Sequence, residues 1–527
     1  MNMTGKVILG GALACLLGAC GAEVPMRTLE LPPGKGNPRN SEGAFVTLRD
    51  GRILFVYSHY TAGSGGDHDP AHLAGRYSSD DGRTWTREGR VIVPNEGGMN
   101  VMSVSLLRLQ SGDIALFYLL KNSEEDCRPV MRLSQDEGET WGAQVMCITD
   151  EVGYYVLNND RVIQLGNGRL LVPVAQHAVK GAGKGLDYAG TILSYLSDDN
   201  GKSWRRSRTV QQLFDPRGTR VTAQEPGVVE LKDGRVMMLI RTYSGCQYHA
   251  FSPDGGDTWS KAEASPVASQ ISPASVKRLL ATGDLLLAWN DRVPSISDSR
   301  GKWWRVPLTL ALSKDEGRTW RNVRALEGNP DGHFCYIAIH PVKEAVLLAY
   351  CAKGLAYSRI TRVPTAWLYE EGTPPVSVDR KRPDLFGKAV AGSFQILETE
   401  LGVWTAEAGH AEIYEYARGR GIRLLGGTNR VVTLALKEPA DCKALGLGVE
   451  RFASKPPYEL TLEAKEGAGW RKVWAQAANT GVGAQHPVDW GGKAHVPASQ
   501  FRFTCTSALG AILVDMPDIS INAFFKD

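Results

Sequence analysis

The amino-acid sequence predicts an all-β protein, in which a six-bladed β-propeller is followed by a jelly-roll-like β-sandwich. Three observations predict it. A turn of eight residues recurs five times, a polar hairpin turn recurs six times in alternation with it, and the C-terminal region alternates apolar and polar residues without a helical stretch. The chain has 527 residues, too many for one ordinary core, so two domains are expected.

The first repeat, called the turn box here, follows the pattern S-x-D-x-G-x-[ST]-W. Its copies are SSDDGRTW, SQDEGETW, SDDNGKSW, SPDGGDTW and SKDEGRTW, which close on Trp85, Trp141, Trp204, Trp259 and Trp320. The aspartate can accept backbone N–H bonds across the turn, the glycine permits a positive φ, and the tryptophan buries a large ring. The turn box therefore predicts a hairpin staple and not a catalytic motif.

The second repeat is a polar turn, usually with glycine, followed by an apolar run that suits a buried strand. Its copies begin at Leu48, Leu109, Leu165, Leu231 and Leu280, with a degenerate sixth copy at Val342. Six such hairpins interleaved with five turn boxes predict six four-stranded units, arranged radially as a propeller over residues 38–362. A seventh blade is disfavoured because no sequence remains to supply it.

The chain after the repeats changes character. Residues 363–385 are rich in proline and charge, which is typical of a linker. Residues 386–527 contain alternating segments such as YELTLEA and FRFTCTS, which predict the β-sandwich. This domain could bind carbohydrate or could be a structural lid docked on the propeller, and the sequence leaves both interpretations open.

The first twenty residues are predicted to be a lipoprotein signal peptide. An apolar run over residues 7–19 follows Lys6, and it is too short to span a bilayer but suits a secretory leader. It ends in Leu17-Gly18-Ala19-Cys20, which resembles a bacterial lipobox. Acylation of Cys20 would anchor an exported protein at the outer membrane or cell surface, whereas a plain signal peptide would leave it unanchored.

Composition argues against nucleic acid as a binding partner and limits the roles open to the cysteines. A net charge of +3 is small for this length and lacks the basic footprint of a nucleic-acid-binding protein, so a membrane would be met only through the lipid anchor. No CxxC motif is present, which argues against a zinc site. The cysteines could be small buried hydrophobic residues. Alternatively they could pair as Cys127–Cys147, Cys335–Cys351 and Cys442–Cys505.

The turn boxes and hairpins of residues 38–362 resemble the sialidase (neuraminidase) superfamily, with its bacterial neuraminidase repeats. The resemblance implies a tyrosine nucleophile, a glutamate that activates it, an aspartate acid/base and three arginines that clamp a substrate carboxylate. A tyrosine with its ordinary pKa of about 10 is a poor nucleophile, and a glutamate within hydrogen-bond reach can take its proton during attack. The resemblance implies a glycan substrate and requires no metal or organic cofactor.

Residues of the later repeats match three of these roles. Glu225-Pro226-Gly227-Val228-Val229 leads into a DG turn and a strand closed by Arg241, which places the activating base on Glu225 and a clamp arginine on Arg241. Arg305, eight residues before Ser313 of the fifth turn box, resembles the last clamp arginine, with Arg292 as the fallback. The nucleophile position falls on Tyr336, which enters a strand after that box.

The first repeat matches less well. Asp67, eleven residues before Ser78 of the first turn box, fits the acid/base aspartate, and Asp69 is the runner-up and a candidate substrate ligand. The family opens its first strand with Arg-Ile-Pro, but Ser41-Glu42-Gly43 stands there, and Arg39 lies two residues early. A clamp without one arginine, and with Glu42 nearby, puts sialic acid itself in doubt and leaves another acidic sugar or a neutral one open.

The sequence as a whole predicts an exo-acting, retaining glycoside hydrolase of sialidase type. It would release a terminal acidic sugar, sialic acid or a related ulosonic or uronic acid, through a tyrosyl–enzyme intermediate. A non-catalytic carbohydrate-binding propeller and a propeller polysaccharide lyase are the alternatives. Further polar residues in or near predicted loops that could contact substrate hydroxyls are His59, Asn100, Asn158, Asn159, Asp160, His177 and His333.

Overall fold

The computed structural model is built almost entirely of antiparallel strands, which confirms the all-β prediction. It describes residues 23–183, 185–214, 220–242, 244, 246–269, 271–291, 305–329, 332–370, 392–398, 402–416, 419–424, 427–442, 449–451, 458–478, 496–507 and 512–514. The predicted leader with Cys20 and the fallback Arg292 lie outside the described residues. Among the residues described, no helix is both long and apolar enough to cross a membrane.

The strands before residue 365 follow the two repeats. In chain order they are β1 (Met26–Leu31), β2 (Asn40–Thr47), β3 (Ile53–Tyr60), β4 (Ala71–Ser78), β5 (Arg90–Val93), β6 (Asn100–Arg108), β7 (Ile114–Ser123), β8 (Asp126–Ser134), β9 (Val145–Met146), β10 (Gly153–Val156), β11 (Ile163–Gln164), β12 (Leu170–Val179), β13 (Thr191–Ser197) and β14 (Arg205–Arg206). They continue with β15 (Leu213–Phe214), β16 (Arg220–Val221), β17 (Gln224–Glu230), β18 (Val236–Arg241), β19 (Cys246–Ser252), β20 (Glu263–Ala268), β21 (Ser275–Arg278), β22 (Leu285–Trp289), β23 (Leu308–Ser313), β24 (Arg321–Glu327), β25 (Cys335–Pro341), β26 (Ala345–Cys351) and β27 (Ser358–Pro364).

These strands pair as successive up-and-down sheets. Strands β2–β5, β17–β20 and β21–β24 each form a four-stranded sheet in chain order. Strands β6–β14 form one nine-stranded sheet, because a single parallel pair between Tyr154 and Cys127 joins the unit β6–β9 to the unit β10–β14. The last sheet has the order β1-β27-β26-β25, so the N-terminal strand completes the sheet made by the end of the repeat region.

Strands of different sheets pack against one another. Strand β2 contacts both β6 and β25, β17 contacts β12 and β21, and β21 contacts β25. Apolar side chains fill the spaces between neighbouring sheets, and one such cluster joins Phe45 and Phe55 of the first sheet to Leu347 and Ile360 of the last. The first and last sheets of the repeat region therefore share a core.

Each turn box joins the last two strands of its unit and closes the turn with side chains. Asp315 accepts hydrogen bonds from the Thr319 N–H at 2.8 Å and the Thr319 hydroxyl at 2.6 Å. The Ser313 hydroxyl donates to Asp315 and accepts from the Gly317 N–H, both at 2.8 Å. The threonine or serine hydroxyl, with the backbone N–H bond, lowers the pKa of Asp136, Asp199 and Asp315 to about 2.

The tryptophans that close the turn boxes also contact residues of neighbouring sheets. The ring of Trp204 meets Phe117 of the neighbouring unit edge-on, with centroids 6.1 Å apart. Trp85 packs near Phe45 and donates its indole N–H to Thr28 of β1 at 3.1 Å. The staple predicted from the sequence is thus also a contact between units.

After residue 364 the chain leaves the repeats. The helix α1 (Thr365–Tyr369) docks on the fifth unit, where the Arg324 guanidinium lies 3.7 Å from the Trp367 ring centroid. Two antiparallel sheets follow, with the orders β28-β31-β32-β38-β34 and β29-β30-β33-β37-β35-β36. Their strands are β28 (Gly392–Ser393), β29 (Ile396–Glu398), β30 (Gly402–Ala406), β31 (Ala411–Tyr416), β32 (Gly419–Leu424), β33 (Gly427–Cys442), β34 (Val449–Arg451), β35 (Tyr458–Glu466), β36 (Gly469–Ala478), β37 (Val496–Ser507) and β38 (Ile512–Val514).

Two of the three suggested cysteine pairs fall within the described side chains. Cys127, Cys147, Cys335 and Cys351 are buried thiols and form no disulfide, as the interpretation of small buried hydrophobic residues expects. Cys335 and Cys351 are nevertheless register partners on adjacent strands. The third suggested pair lies outside the described side chains.

The turn box yields a stability prediction. We expect Asp315→Ala to lower the free energy of unfolding by about 1 kcal/mol, the net value of a typical hydrogen bond, because the exposed donors of Thr319 lose their acceptor but can bond to water. Urea denaturation would measure the change. The matched control is Arg318→Ala in the same box, an exposed residue whose loss should stay within ~0.5 kcal/mol. Equal effects of the two substitutions would contradict the staple interpretation.

Candidate active site

The predicted site residues come from distant parts of the chain and lie in or next to strands of four different sheets. Arg39 precedes β2, Glu225 lies in β17, Arg305 precedes β23 and Tyr336 lies in β25. The charges of Glu225, Arg305 and Arg241 all act on the Tyr336 phenol. The first sheet joins the same cluster through the interaction of its own carboxylate Glu42 with Glu225.

One backbone device presents three of these side chains. Glu42, Glu225 and Tyr336 adopt left-handed φ values of 56°, 46° and 58°. Each lies at a register shift near the start of its strand, in the pairings of β2 with β3, β17 with β18 and β25 with β26. A bulge of this kind changes the direction in which a side chain points. A residue other than glycine is strained in this backbone conformation, and such strained residues are common at functional sites.

Tyr336 is the candidate nucleophile. Its side chain is buried, and the Arg305 guanidinium carbon lies 5.3 Å from the ring centroid. Burial, with the negative charge of Glu225, raises the pKa of Tyr336 well above its usual range, against the opposing effect of Arg305 and Arg241. The phenol is therefore protonated in the free protein and needs a base during any attack.

Glu225 is the candidate base, and it is engaged by an arginine. Its carboxylate accepts a hydrogen bond from Arg241 Nη1 at 2.6 Å, within a largely buried ion pair. No hydrogen bond joins Glu225 to the Tyr336 phenol among the described contacts. The Nε of Arg241 is buried without a partner, so this guanidinium retains a donor for a further group.

Arg305 holds the largest unused hydrogen-bonding capacity of the candidate site. The residue is 8% exposed, and its Nε and Nη1 are buried without a hydrogen-bond partner, although the buried Cys335 thiol interacts with the guanidinium. Buried donors on a charged group are costly to leave unpaired. An acceptor, and most favourably an anion, is the natural occupant of this position.

Arg39, by contrast, has a partner at each side-chain nitrogen within the protein. Its Nε donates to the Ser41 hydroxyl at 2.8 Å, and Nη1 donates to the Gly65 carbonyl at 3.3 Å and to Asp67 at 2.5 Å. Its Nη2 donates to Glu42 at 3.2 Å. Arg39 thus lies between Asp67 and Glu42, and the protein itself occupies its donors.

Asp67, the candidate acid/base, lies on the loop between β3 and β4 with a side chain 54% exposed. Its backbone carbonyl accepts from Asn100 Nδ2 at 2.9 Å and Lys121 Nζ at 2.7 Å, which fix the loop to the second unit. Desolvation, the largest influence, would raise the pKa of Asp67, but the charge and hydrogen bond of Arg39 outweigh it and the pKa is lowered.

Asp69, the runner-up, serves its own loop. Its carboxylate accepts hydrogen bonds from the backbone N–H groups of Ser64 at 2.9 Å and Gly66 at 2.8 Å and from the Ser64 hydroxyl at 3.2 Å. These bonds, led by the one from Gly66, lower the pKa of Asp69. The arrangement holds the glycine-rich turn that carries Asp67.

Glu42 is a member of the cluster that the sequence did not predict as a site residue. It is 6% exposed, and its burial raises the pKa to about 7, although Arg39 opposes this. A signal in the sequence could have found it. Glu42 stands six residues before the hairpin-turn residue Leu48, as Glu225 stands six before Leu231 and Tyr336 six before Val342.

Several of the other predicted polar residues support the backbone. Asn159 donates from Nδ2 to the carbonyls of Gly43 at 2.8 Å and Tyr336 at 3.1 Å. It therefore links the backbone next to Glu42 with the backbone of Tyr336. Asp160 forms an ion pair with Lys277 at 2.8 Å. The remaining contacts are those of His59 with Asn40 at 2.9 Å, His177 with the Asp187 carbonyl at 2.7 Å and Asn158 with the Asn159 N–H at 2.6 Å.

Comparison with known proteins gives one family and a weak relative. The profile of the family described as the BNR repeat-like domain matches residues 78–369. An anhydrosialidase of Macrobdella decora is 31% identical over 159 residues, which is 28% of this chain. The match spans only 19% of the length of that curated relative.

Similar solved structures include proteins with and without a stated activity. A protein of unknown function from Dyadobacter fermentans DSM 18053 has 19% identity and a TM-score of 0.49, over 64% of this chain and 99% of that chain. Trypanosoma rangeli sialidase in complex with the inhibitor DANA has 15% identity and a TM-score of 0.49, over 92% of this chain and 94% of that chain. The Hadza microbial sialidase Hz136 has 16% identity and a TM-score of 0.49, over 63% and 67%.

Burial of Glu42 predicts a pH dependence of stability. Its pKa rises from 4.5 to about 7 on folding, so the native state binds the proton more tightly and stability falls as pH rises between these values. Relative to the unsubstituted protein, Glu42→Gln should therefore gain up to about 3 kcal/mol in unfolding free energy across this range.

Urea denaturation at about pH 5 and about pH 8 would measure this difference. Glu137→Gln is the control, because hydrogen bonding from Arg108 lowers the pKa of Glu137 to about 2, and it is ionised throughout this range in the native state. Parallel pH profiles for Glu42→Gln and the unsubstituted protein would refute the buried titration of Glu42.

Proposed function

This chain belongs to the BNR repeat-like domain family, within the sialidase superfamily, and on that premise we propose that it is an exo-acting, retaining glycoside hydrolase of sialidase type. Its substrate would be a glycan that ends in an acidic sugar, which is sialic acid or a related ulosonic or uronic acid. The observation that carries the proposal is the position of the Arg305 guanidinium, 5.3 Å from the Tyr336 ring centroid, together with the Glu225–Arg241 ion pair whose charges also act on this phenol.

The proposed reaction has two displacements. The Tyr336 oxygen attacks the anomeric carbon while its proton passes to Glu225, and the bond from that carbon to the leaving oxygen breaks. The electron pair of that bond goes to the leaving oxygen, which takes a proton from a carboxylic acid. Water then attacks the anomeric carbon, gives its proton to that carboxylate, and releases the tyrosine. A neutral nucleophile suits an anionic sugar, because a carboxylate nucleophile would be repelled by it.

The arginines support an acidic sugar. Arg305 offers two unpartnered buried nitrogens and Arg241 offers one, which is the complement of a carboxylate. Arg39 already serves Asp67 and Glu42, so the clamp for the substrate would consist of two arginines. A two-arginine clamp leaves room for acidic sugars other than sialic acid.

The fold proposal matches this site. We propose that the six units of residues 38–362 are arranged radially as propeller blades, with β1 closing the last blade against the first. The order of contacts between inner strands supports this arrangement. Residues 386–527 would form the sandwich, and an acylated Cys20 would hold the exported enzyme at the cell surface.

A carbohydrate-binding propeller without activity is the second candidate. It is favoured by one observation, since Glu225 is paired with Arg241 and makes no hydrogen bond to the Tyr336 phenol in the described contacts. Substrate binding would have to draw Arg241 towards the sugar carboxylate and free Glu225 for the phenol. A screen of aryl glycosides of sialic, other ulosonic and uronic acids separates the two candidates, and an unsaturated product absorbing in the near ultraviolet would indicate a lyase.

The nucleophile assignment predicts a large loss in Tyr336→Phe. We expect kcat to fall by at least about 10³-fold, because the phenyl ring keeps the packing but has no oxygen to form the intermediate. Tyr57→Phe is the matched control, a buried tyrosine of the first sheet that should keep kcat within a few-fold. Steady-state turnover of the best substrate from the screen measures both.

The intermediate itself can be captured. A fluorinated, activated donor of the same sugar should add one glycosyl mass to the unsubstituted protein, and peptide mapping should place it on Tyr336. Full turnover in Tyr336→Phe, or label on another residue, would overturn the assignment.

The clamp predicts selective binding. We expect Arg305→Gln to raise KM for the anionic glycoside by about 10- to 100-fold, equivalent to one charge-assisted hydrogen-bonded contact. The corresponding amide of the sugar acid, which carries no charge, should be affected far less. Measured KM values for the acid and the amide decide the point, and equal losses for both would show that Arg305 does not read the carboxylate.

A further inference from the structure

Retaining hydrolysis needs a carboxylic acid that still carries its proton when the leaving group departs. The resemblance assigns that role to Asp67, but Arg39 lies 2.5 Å from Asp67 and favours its ionised form. We infer that Glu42, on the first inner strand, is the proton donor to the leaving group, and that Arg39 and Asp67 position it. This inference rests on the proposed function and adds to it a residue outside the family pattern quoted above.

The position of Glu42 supports a direct role. It has the same left-handed conformation, the same place at a strand bulge and the same offset from the hairpin turn as Glu225 and Tyr336. The three residues are 6%, 8% and 8% exposed respectively. Glu42 is therefore buried to nearly the same degree as the residues assigned as base and nucleophile.

The hydrogen bonds of Glu42 leave one oxygen available. Its Oε2 accepts from Arg39 Nη2 at 3.2 Å and from the Ser41 hydroxyl at 3.4 Å. Its Oε1 makes no hydrogen bond among the described contacts, and it is not among the fully enclosed atoms that lack a partner. This oxygen can carry a proton and present it to an acceptor.

The charges around Glu42 are divided between two signs. Desolvation is the largest influence and raises the pKa of Glu42, and the charges of Asp67 and Glu225 act in the same direction. Arg39 and Lys121 favour the ionised form but do not outweigh these effects. The phenols of Tyr60 and Tyr154 and the thiols of Cys127 and Cys351 also interact with it. The pKa values of the two carboxyl groups that share the Arg39 guanidinium are thus shifted in opposite directions. The pKa of Asp67 is lowered, and that of Glu42 is raised to about 7.

The proton inventory of this step balances. As the glycosidic bond breaks, its electron pair goes to the leaving oxygen, which takes the proton of Glu42 while Glu225 takes the proton of Tyr336. In the second displacement the attacking water returns a proton to Glu42, and the departing tyrosine recovers its proton from Glu225. No oxidant, metal or further reactant is needed.

The experiment compares Glu42→Gln with Asp67→Asn on two substrates of the same sugar. One carries an activated aryl leaving group that departs without a proton, and the other carries an alkyl alcohol that needs one. For Glu42→Gln we expect kcat on the alkyl glycoside to fall by about 10²- to 10⁴-fold, the usual contribution of general acid catalysis, with a much smaller change on the aryl glycoside. Asp67→Asn should lower both rates by a similar factor, because it disturbs the position of Arg39.

The pH profile gives a second readout. In the unsubstituted enzyme the rate on the alkyl glycoside should fall as pH rises through about 7, because Glu42 must be protonated to act. Glu42→Gln should lose this alkaline limb. A loss that depends on the leaving group in Asp67→Asn but not in Glu42→Gln would overturn the inference and return the role to Asp67.

The inference and the proposed function can fail separately. If Tyr336→Phe is as active as the unsubstituted enzyme, the proposed function fails. Infrared difference spectra between about pH 5.5 and about pH 8.5 test Glu42 without turnover. A protonated carboxyl band that titrates in the unsubstituted protein and is absent in Glu42→Gln supports the inference, and a spectrum unchanged by that substitution overturns it.

Discussion

Three residues of the candidate site share one backbone constraint, a left-handed conformation near the start of β2, β17 and β25. Glu42, Glu225 and Tyr336 all take this conformation, and Ser103 and Asp160 take it in the second and third units, with φ of 60° and 55°. Glycine would adopt it without strain, so a glutamate or a tyrosine there costs stability that the surrounding sheet must offset. The bulge turns the side chain out of the alternation of the strand, and the same backbone geometry recurs in several units.

Convergence of charged groups creates the second constraint, which is electrostatic balance in a space with little water. Arg241 is paired with Glu225, and Arg39 is paired with Asp67 and donates a hydrogen bond to Glu42. Arg305 has no carboxylate partner among the described residues and retains two unused donors. Two of the three arginines are therefore paired with a carboxylate, and the third keeps buried donors that an anion would satisfy.

Much of this arrangement could be predicted from the sequence, and the reason differs between residues. Glu225 was found because it begins a repeat with an intact pattern, and the turn boxes served as fixed offsets for Arg305, Tyr336 and Asp67. Asp69 was indistinguishable from Asp67 in the sequence, because both belong to the same glycine-rich loop and only the hydrogen bonds of that loop separate them. Glu42 departs from the family's Arg-Ile-Pro pattern and is not predicted to be a catalytic residue, although its offset from Leu48 equals that of Glu225 from Leu231.

The sequence by itself determined the all-β class, the alternation of the two turns and the family, because these rest on local rules. A turn needs its aspartate and glycine within a few residues, and a buried strand needs its apolar run, so both can be recognised in the amino-acid sequence. Only the tertiary structure decided which charges meet. Arg39 and Glu42 are neighbours in the chain, but the partner that changes their chemistry, Asp67, arrives on a loop from another hairpin. Burial and ion pairing are set by such distant neighbours, and for that reason the protonation of a carboxyl group is a property of the fold.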